Sequence, residues 1–341
     1  MSNQPLISIT VCMRDAEHWV DDCMKALTEQ TYRPLEIIAV DDGSTDNGLS
    51  KLQIWDGDHN GIPVKVLHQS ARGLSAGRNL AVSESKGEWV AITDIDCRPD
   101  PYWISEMYEV SSGLDDEEVF AVTGRTIFDE GDTTTSRLRS RSIARKYSGR
   151  PRLTNLANGP CSMFLRQALQ DVGGFNPEWY HAEDMEVSLR LIQIGGVIVH
   201  TPTAVVHHVA ESSLQLFLKK RSRDARAHMR IRRYFGRHGV RKPNGYIHLH
   251  DFVSDAKEVV WMLPIAIFGL LFAMTLIVWW PQGTPVWWMA TITALVWSVL
   301  YATRIHQILW SIALWYGAGL GLLDALLGRH GHKGIFNFKK R

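Results

Sequence analysis

Three acidic clusters carry the clearest chemistry in the chain: Asp41-Asp42, Asp94-Ile95-Asp96 and Glu183-Asp184. In extended backbone, side chains two positions apart point the same way, so Asp94 and Asp96 can share one cation. Two hard carboxylate ligands suit Mg2+ or Mn2+ and leave coordination positions for phosphate oxygens. A cation held there offsets the charge that builds as a diphosphate departs. Glu183-Asp184 follows Gly173-Gly174-Phe175 and opens a helical stretch over residues 185–194. Acids in a first helical turn complement the helix dipole; they can also take a proton from an acceptor hydroxyl. His207-His208 offers imidazoles for metal ligation, base chemistry or packing.

Two other patterns are weaker. Gly73-Leu74-Ser75-Ala76-Gly77 spells the G-x-S-x-G elbow of serine hydrolases. That elbow needs its serine on a sharp turn directly after a strand, whereas the preceding apolar run ends near Leu67. His248, His250 and Asp251 have ligand chemistry, but their place beside an apolar segment assigns them to a membrane interface.

The elements around these residues alternate. Apolar runs rich in β-branched residues predict strands over residues 6–12, 35–40, 64–67 and 89–93, with a shorter run at 204–206. Helices are expected over residues 19–28 and 75–85. Such alternation predicts an α/β domain, Rossmann-like, with a mostly parallel sheet and flanking helices. Two of the strands end in the pairs Asp41-Asp42 and Asp94-Ile95-Asp96, and ligand sites of open α/β sheets lie at the carboxyl ends of strands. The polar, Ser/Thr-rich stretch 129–152 is expected to be a mobile loop that closes over the ligand.

The 341 residues divide by composition. Residues 1–215 read as the α/β domain, 216–255 as a basic amphipathic interface segment and 256–341 as a membrane region. Residues 259–280 form an uncharged apolar stretch of 22 residues, long enough at 1.5 Å per residue to cross a core of about 30 Å. Residues 286–303 return. A third stretch, 308–327, contains Asp324 and closely spaced Gly317, Gly319 and Gly321. Arg304 and the basic tail 329–341 both belong on the cytoplasmic side by the positive-inside rule. Two crossings plus a re-entrant or interfacial helix are therefore expected, on a multi-pass cell-membrane protein whose α/β domain is cytoplasmic.

Net charge is only +1, so charge informs locally. From Lys219 to Lys242 there are eleven Lys or Arg and one acid, Asp224. Such a run seeks phosphate. Its position before a membrane segment selects lipid headgroups over nucleic acid. Cys12, Cys23, Cys97 and Cys161 form no CxxC pair, which fits a reducing compartment. The run 6–13 lacks a basic flank and reads as a strand rather than a signal peptide. A channel or transporter is excluded, since no apolar segment carries paired charges.

Taken in order, several motifs of residues 6–210 resemble those of the family 2 glycosyltransferases with a GT-A fold. Ile7-Ser-Ile-Thr-Val11 is similar to the opening strand. Gln30-Thr-Tyr-Arg-Pro34, Glu36 and Val40-Asp-Asp-Gly-Ser-Thr-Asp46 resemble the nucleotide-binding signature. Gly73-Leu-Ser-Ala-Gly-Arg78-Asn79 resembles the next element, Asp94-Ile-Asp96 sits at the DxD position, and Val172-Gly-Gly-Phe175 with Glu183-Asp184 resembles the acceptor signature. The resemblance implies an inverting, metal-dependent transfer from a nucleotide-diphosphate sugar, with Mn2+ or Mg2+. By it, Val11, Arg14, Asp41, Asp42, Arg78, Asn79 and Asp94 would bind the nucleotide sugar. Asp94, Asp96 and His207 would hold the metal, with His208 as the alternate to His207. Asp184 would be the base and Glu183 its neighbour. The chain departs from the pattern at Asp15, preceded by Arg14, where the family usually has Asn. It also lacks the QxxRW motif of processive members: Gln215 is followed by Leu-Phe-Leu. One sugar, or a few, is therefore expected per acceptor. With a membrane anchor, the implied acceptor is lipid-linked, a polyprenyl-phosphate carrier or its glycan. The alternatives are a polyprenyl- or dolichyl-phosphate sugar synthase, which needs no base, and a non-catalytic membrane scaffold that binds glycan.

Overall fold

The computed structural model describes residues 4–111, 117–179, 181–236, 240–242, 245–246 and 256–329. His248, His250 and Asp251, and the tail beyond Arg329, lie outside the described residues. The chain forms two compact units. One comprises residues 1–211, 231–250 and 328–341; the other comprises 212–230 and 251–327.

The first unit opens with β1 (Ile7–Met13), α1 (Val20–Thr28), β2 (Leu35–Asp42), α2 (Gly48–Gln53), β3 (Gly57–His59), β4 (Ile62–Gln69), α3 (Leu74–Glu84) and β5 (Trp89–Asp94). β1 and β2 are buried along their whole length, as expected for strands covered on both faces. Then follow β6 (Cys97–Pro99), α4 (Trp103–Ser111), β7 (Val119–Phe128), α5 (Thr134–Tyr147), β8 (Leu153–Thr154), β9 (Ser162–Leu165), α6 (Arg166–Asp171), α7 (Glu183–Gln193) and β10 (Val197–His208). A 22-residue helix, α8 (Leu214–Phe235), follows in the chain, and its residues up to Arg230 belong to the second unit.

Among the described residues the main sheet has the order β3-β4-β2-β1-β5-β9-β7-β10-β6, with β8 paired to β10. β4, β2, β1 and β5 are parallel neighbours. The other half is mixed: β9 runs antiparallel to β5 and β7, and β6 antiparallel to β10. The expected mostly parallel sheet therefore holds for one half only. Close backbone approach makes the inserted strand possible. The Gly124 amide donates to Cys161 O at 2.9 Å, and a Cβ on Gly124 would meet Ala204 O at 2.3 Å. The core on one sheet face gathers Ile7, Ile9, Ile37, Ala91, Met163 and Val199 around fully buried Trp103. Each large aliphatic side chain removed from water there contributes about 1.5–3 kcal/mol.

The stretch expected to be a mobile loop is instead mostly helix α5. Thr133 caps it, its Oγ1 accepting from the Ser136 amide at 3.1 Å. Ile143 and Tyr147 pack against Phe128. Arg139 lies 4.6 Å over the Phe128 ring and 3.3 Å from Glu211. The polar face hides the period in the sequence, because only two large apolar residues anchor the helix.

The second unit contains three helices long and apolar enough to cross a membrane, within Lys257–Trp279, Pro285–Ala302 and Ile305–Leu326. Thr284 caps the second, and Pro285 occupies its first turn, where no amide is needed. Gly269 lets Trp297 of the second helix approach closely; a Cβ there would lie 2.7 Å from the indole. Phe268, Leu271, Val278, Trp279, Met289 and Leu295 point outward, a surface suited to lipid.

Candidate active site

The three central parallel strands place the acids. Asp41 on β2 pairs with Met13 on β1, and Cys12 pairs with Asp94 on β5. Asp41 and Asp94 thus stand at the same sheet edge, two strands or about 10 Å apart. The loops above them are cross-braced. Asp15, in left-handed conformation at φ 49, accepts from the amide and hydroxyl of Thr45 at 2.7 and 2.9 Å. Asp46 accepts from the Glu17 amide and Glu17 from the Asn47 amide. The latter bond holds the Glu17 carboxyl below its usual range.

The expected nucleotide contacts separate on inspection. Asp41 is fully buried; its Oδ2 meets the Ser44 amide and His68 Nδ1, at 3.2 and 2.9 Å. Among the described residues its Oδ1 is buried without a hydrogen-bond partner. Asp42 instead fastens the loop before α3, accepting from Gln69, the Arg72 amide and the Gly73 amide at 2.7–2.9 Å. The Val11 side chain is buried in the core, leaving its backbone for any ligand. Arg14 is partly exposed and 3.9 Å from Asp15.

Asn79 faces protein backbone. Its amide nitrogen donates to Phe175 O at 2.7 Å and its oxygen accepts from the Phe175 amide at 2.8 Å. Both ends are thus committed to backbone, and the side chain pins the Gly173–Phe175 turn. Gly174, at φ +70, is needed beside it, since a Cβ would lie 2.6 Å from Asn79 Oδ1. Arg190 on α7 grips the same turn through Val172 O and Gly174 O.

Arg78 joins the motifs. Buried on α3, it donates to Glu183 at 2.7 Å and to Asp94 at 3.2 Å, with Phe175 5.4 Å beneath the guanidinium. Burial alone would lower its pKa, but Glu183 and Asp94 more than reverse that and hold it above the usual value. Its charge is thus already matched, and it positions the two acids. Beside it, burial pushes the Cys12 thiol up to about 12.

Asp184 opens α7 after Ala182, itself at φ 59. Its Oδ2 accepts from the Gly159 amide at 3.0 Å and its Oδ1 from the Met185 amide at 2.8 Å. A Cβ on Gly159 would press to 3.0 Å from Arg78 Nη2. Sequence reasoning missed Gly159; its only sign was the turn-forming Asn158-Gly159-Pro160.

The histidine question has a geometric answer. His208 lies opposite Cys97 on β6 and its Nε2 is 3.6 Å from Asp96 Oδ1. His207 alternates to the other face and lies 3.3 Å from Asp100. Of the two histidines named for the metal, His208 stands beside Asp96 and His207 beside Asp100. His208 Nδ1 is 2.8 Å from Val209 O. A carbonyl only accepts, so Nδ1 donates, and in a neutral ring Nε2 turns a lone pair toward the Asp96 carboxylate. A cation between them would join the two acceptors, and an Nδ1–H held by a carbonyl is the usual support for a metal-ligating Nε2. Ligand atoms of Asp96, Cys97 and His208 lie within 4.8 Å of one another. Phe128 stacks on His208 at 4.2 Å. The donor set therefore fits a divalent cation.

Residues 8–173 match the sequence model of the family described as Glycosyl transferase family 2. The chain carries a family 2 glycosyltransferase domain with the GT-A fold. Over 92 residues it is 38% identical to glycosyltransferase GlyG of Streptococcus pneumoniae, covering 27% of this chain and 30% of that protein. Over 239 residues it is 23% identical to glycosyltransferase AglE of Haloferax volcanii, covering 67% and 75%. It shares its fold with a mannosyltransferase of Pyrobaculum calidifontis, PcManGT, solved with GDP-Man and Mn2+. The TM-score is 0.68 at 21% identity, over 96% of this chain and 89% of that one. Matches to the first curated relatives span about a third of their length, 30% and 33%.

Proposed function

We propose that the chain transfers a sugar from a nucleotide-diphosphate sugar to a membrane lipid-linked acceptor, with inversion at the anomeric carbon. The observation that carries this reading is the set of three carboxylates, Asp94, Glu183 and Asp184, ordered around one buried guanidinium, Arg78, with Asp96 beside His208 two residues beyond Asp94. The excess of negative charge suits a cation and its diphosphate. The sugar nucleotide and Mn2+ bound by the similar mannosyltransferase support it.

Asp41 Oδ1 offers a buried acceptor to an N–H or O–H of the nucleoside. Arg78 fixes the spacing between Asp94 and Glu183, so the donor side and the acceptor side move as one body. Asp96 and His208, with Asp94, would hold Mn2+ or Mg2+, which would supply positive charge against a departing diphosphate. Asp184, oriented by the Gly159 and Met185 amides, takes the proton of the acceptor hydroxyl. That oxygen bonds to the anomeric carbon as the bond to the diphosphate oxygen breaks on the opposite face. The apolar helices support a lipid-linked acceptor, and the basic residues that flank them, Arg304 and Arg329, support a cytoplasmic catalytic domain.

The test is a donor screen on the full chain with Mn2+ and lipid extract, reading nucleotide release and lipid-linked product. Product that requires both acceptor lipid and divalent cation is expected. Turnover unaffected by chelation contradicts the metal role, and product with soluble acceptors alone contradicts the lipid role.

A further inference from the structure

The third apolar helix, Ile305–Leu326, meets the strongly basic helix α8 at successive levels. Phe217 packs edge-on against Trp310, with ring centroids 5.1 Å apart. A Cβ on Gly317 would lie 2.0 Å from Ser222 O, and one on Gly321 would lie 3.1 Å from Arg226 O. Arg226 then binds Asp324 with both nitrogens, at 2.5 and 2.7 Å. The contacts advance in step, 217 with 310, 222 with 317, 226 with 321 and 324. The two helices therefore run parallel in direct contact over about 14 Å. The two glycines remove the side chains that would hold the backbones apart.

Along this contact α8 carries Lys219, Lys220, Arg221, Arg223, Asp224 and Arg226. Each such charge costs about 2.5–3.5 kcal/mol at the centre of a bilayer even on the mildest scale, so α8 cannot enter the hydrocarbon. A helix bound alongside it stays at the same level.

A second, independent set of contacts gives the same depth. Ser311 Oγ accepts from the Leu263 amide and donates to Val260 O, both at 3.1 Å, and Trp315 Nε1 donates to Val260 O at 2.7 Å. Val260 and Leu263 are the entrance of the first membrane helix, Met262–Trp279. The helix Pro285–Ala302 returns the chain to that same face. A third crossing starting there at Ile305 would carry Trp315 about 15 Å inward, to the middle of a core of about 30 Å. Instead Trp315 touches the entrance. The remaining face, with Ile312, Tyr316, Leu322, Leu323 and Leu326 exposed, has the composition of an in-plane helix resting on the boundary between headgroups and acyl chains.

We propose that Ile305–Leu326 lies in the plane of the membrane interface, clamped between α8 and the entrance of the first span. The bilayer boundary covers its free apolar face. The chain then crosses the membrane twice, with Lys257 and Arg329 on one face and Gln282 on the other. Asp324 is a clamp residue rather than a charge buried in lipid.

The experiment is labelling of the full chain in sealed membrane vesicles with a membrane-impermeant maleimide, in the variants Lys257→Cys, Gln282→Cys and Arg329→Cys. All three positions are exposed. The four native thiols are buried, and burial pushes those of Cys12 and Cys161 up to about 12, so the wild-type chain gives the background. The expected result is labelling of K257C and R329C from the same face and of Q282C from the other. Labelling of R329C together with Q282C, or of R329C equally from both faces, overturns the proposal. The readout does not depend on sugar transfer.

Discussion

Arg78 donates to Glu183 at 2.7 Å across 105 positions of sequence, while its other nitrogen reaches Asp94. One buried cation therefore sets the distance between the strand-end acid and the helix that carries Asp184. Removing one partner of a buried pair strands the other, at a cost of about 3–5 kcal/mol. Arg78→Ala is expected to lose about that much in urea unfolding and to abolish transfer. Arg78→Lys, whose single ammonium cannot span two carboxylates in a fixed fork, is expected to recover stability in part and activity little. Full activity in Arg78→Lys would contradict the bridging role.

Asn79 should behave differently. Losing both bonds to Phe175 is expected to cost about 1–3 kcal/mol in Asn79→Ala. Donor affinity, read by nucleotide titration well below the melting temperature, should remain near wild type. A large loss of affinity at preserved stability would return Asn79 to the nucleotide site.

The two adjacent histidines offer a direct contrast. His208→Ala is expected to weaken Mn2+ binding by more than about tenfold, since even the outer partners of metal ligands are worth that much. His207→Ala, at Asp100, is expected to leave it unchanged. Calorimetric titration of metal checks both.

A pH effect arises away from the site. His200 is buried and stacked on Tyr147. Burial first, then the charges of Arg150 and Arg125, lower its pKa from 6.5 to about 4. A base with a depressed folded pKa binds more protons when unfolded. Stability is therefore full above about 6.5, falls as pH drops through the interval and levels off below about 4. The shift corresponds to on the order of 3 kcal/mol. His200→Gln should flatten the denaturation midpoint between pH 4 and 6.5, while an unchanged slope would contradict it.

Much of this arrangement was legible in the residues. Strand-end acids in runs such as Leu35–Asp42 and Trp89–Asp94 declare themselves because buried parallel strands are continuous apolar runs. The antiparallel insertion of β9 was not legible, since Ser162–Leu165 is four residues long and its pairing depends on Gly124 far upstream. The choice between His207 and His208 was equally hidden: it turns on which face of β10 meets β6, a matter of register. The backbone bonds of Asn79 were hidden too, because an amide that binds backbone and one that binds a nucleotide look alike in sequence.

The central claim is that Asp184 receives the acceptor proton during sugar transfer. The most direct measurement is the turnover of Asp184→Asn beside its affinity for the donor nucleotide. Transfer is expected to fall by about 10²–10⁴-fold with nucleotide binding retained, because Asn still accepts from the Gly159 amide. Transfer at near wild-type rate in Asp184→Asn would contradict it.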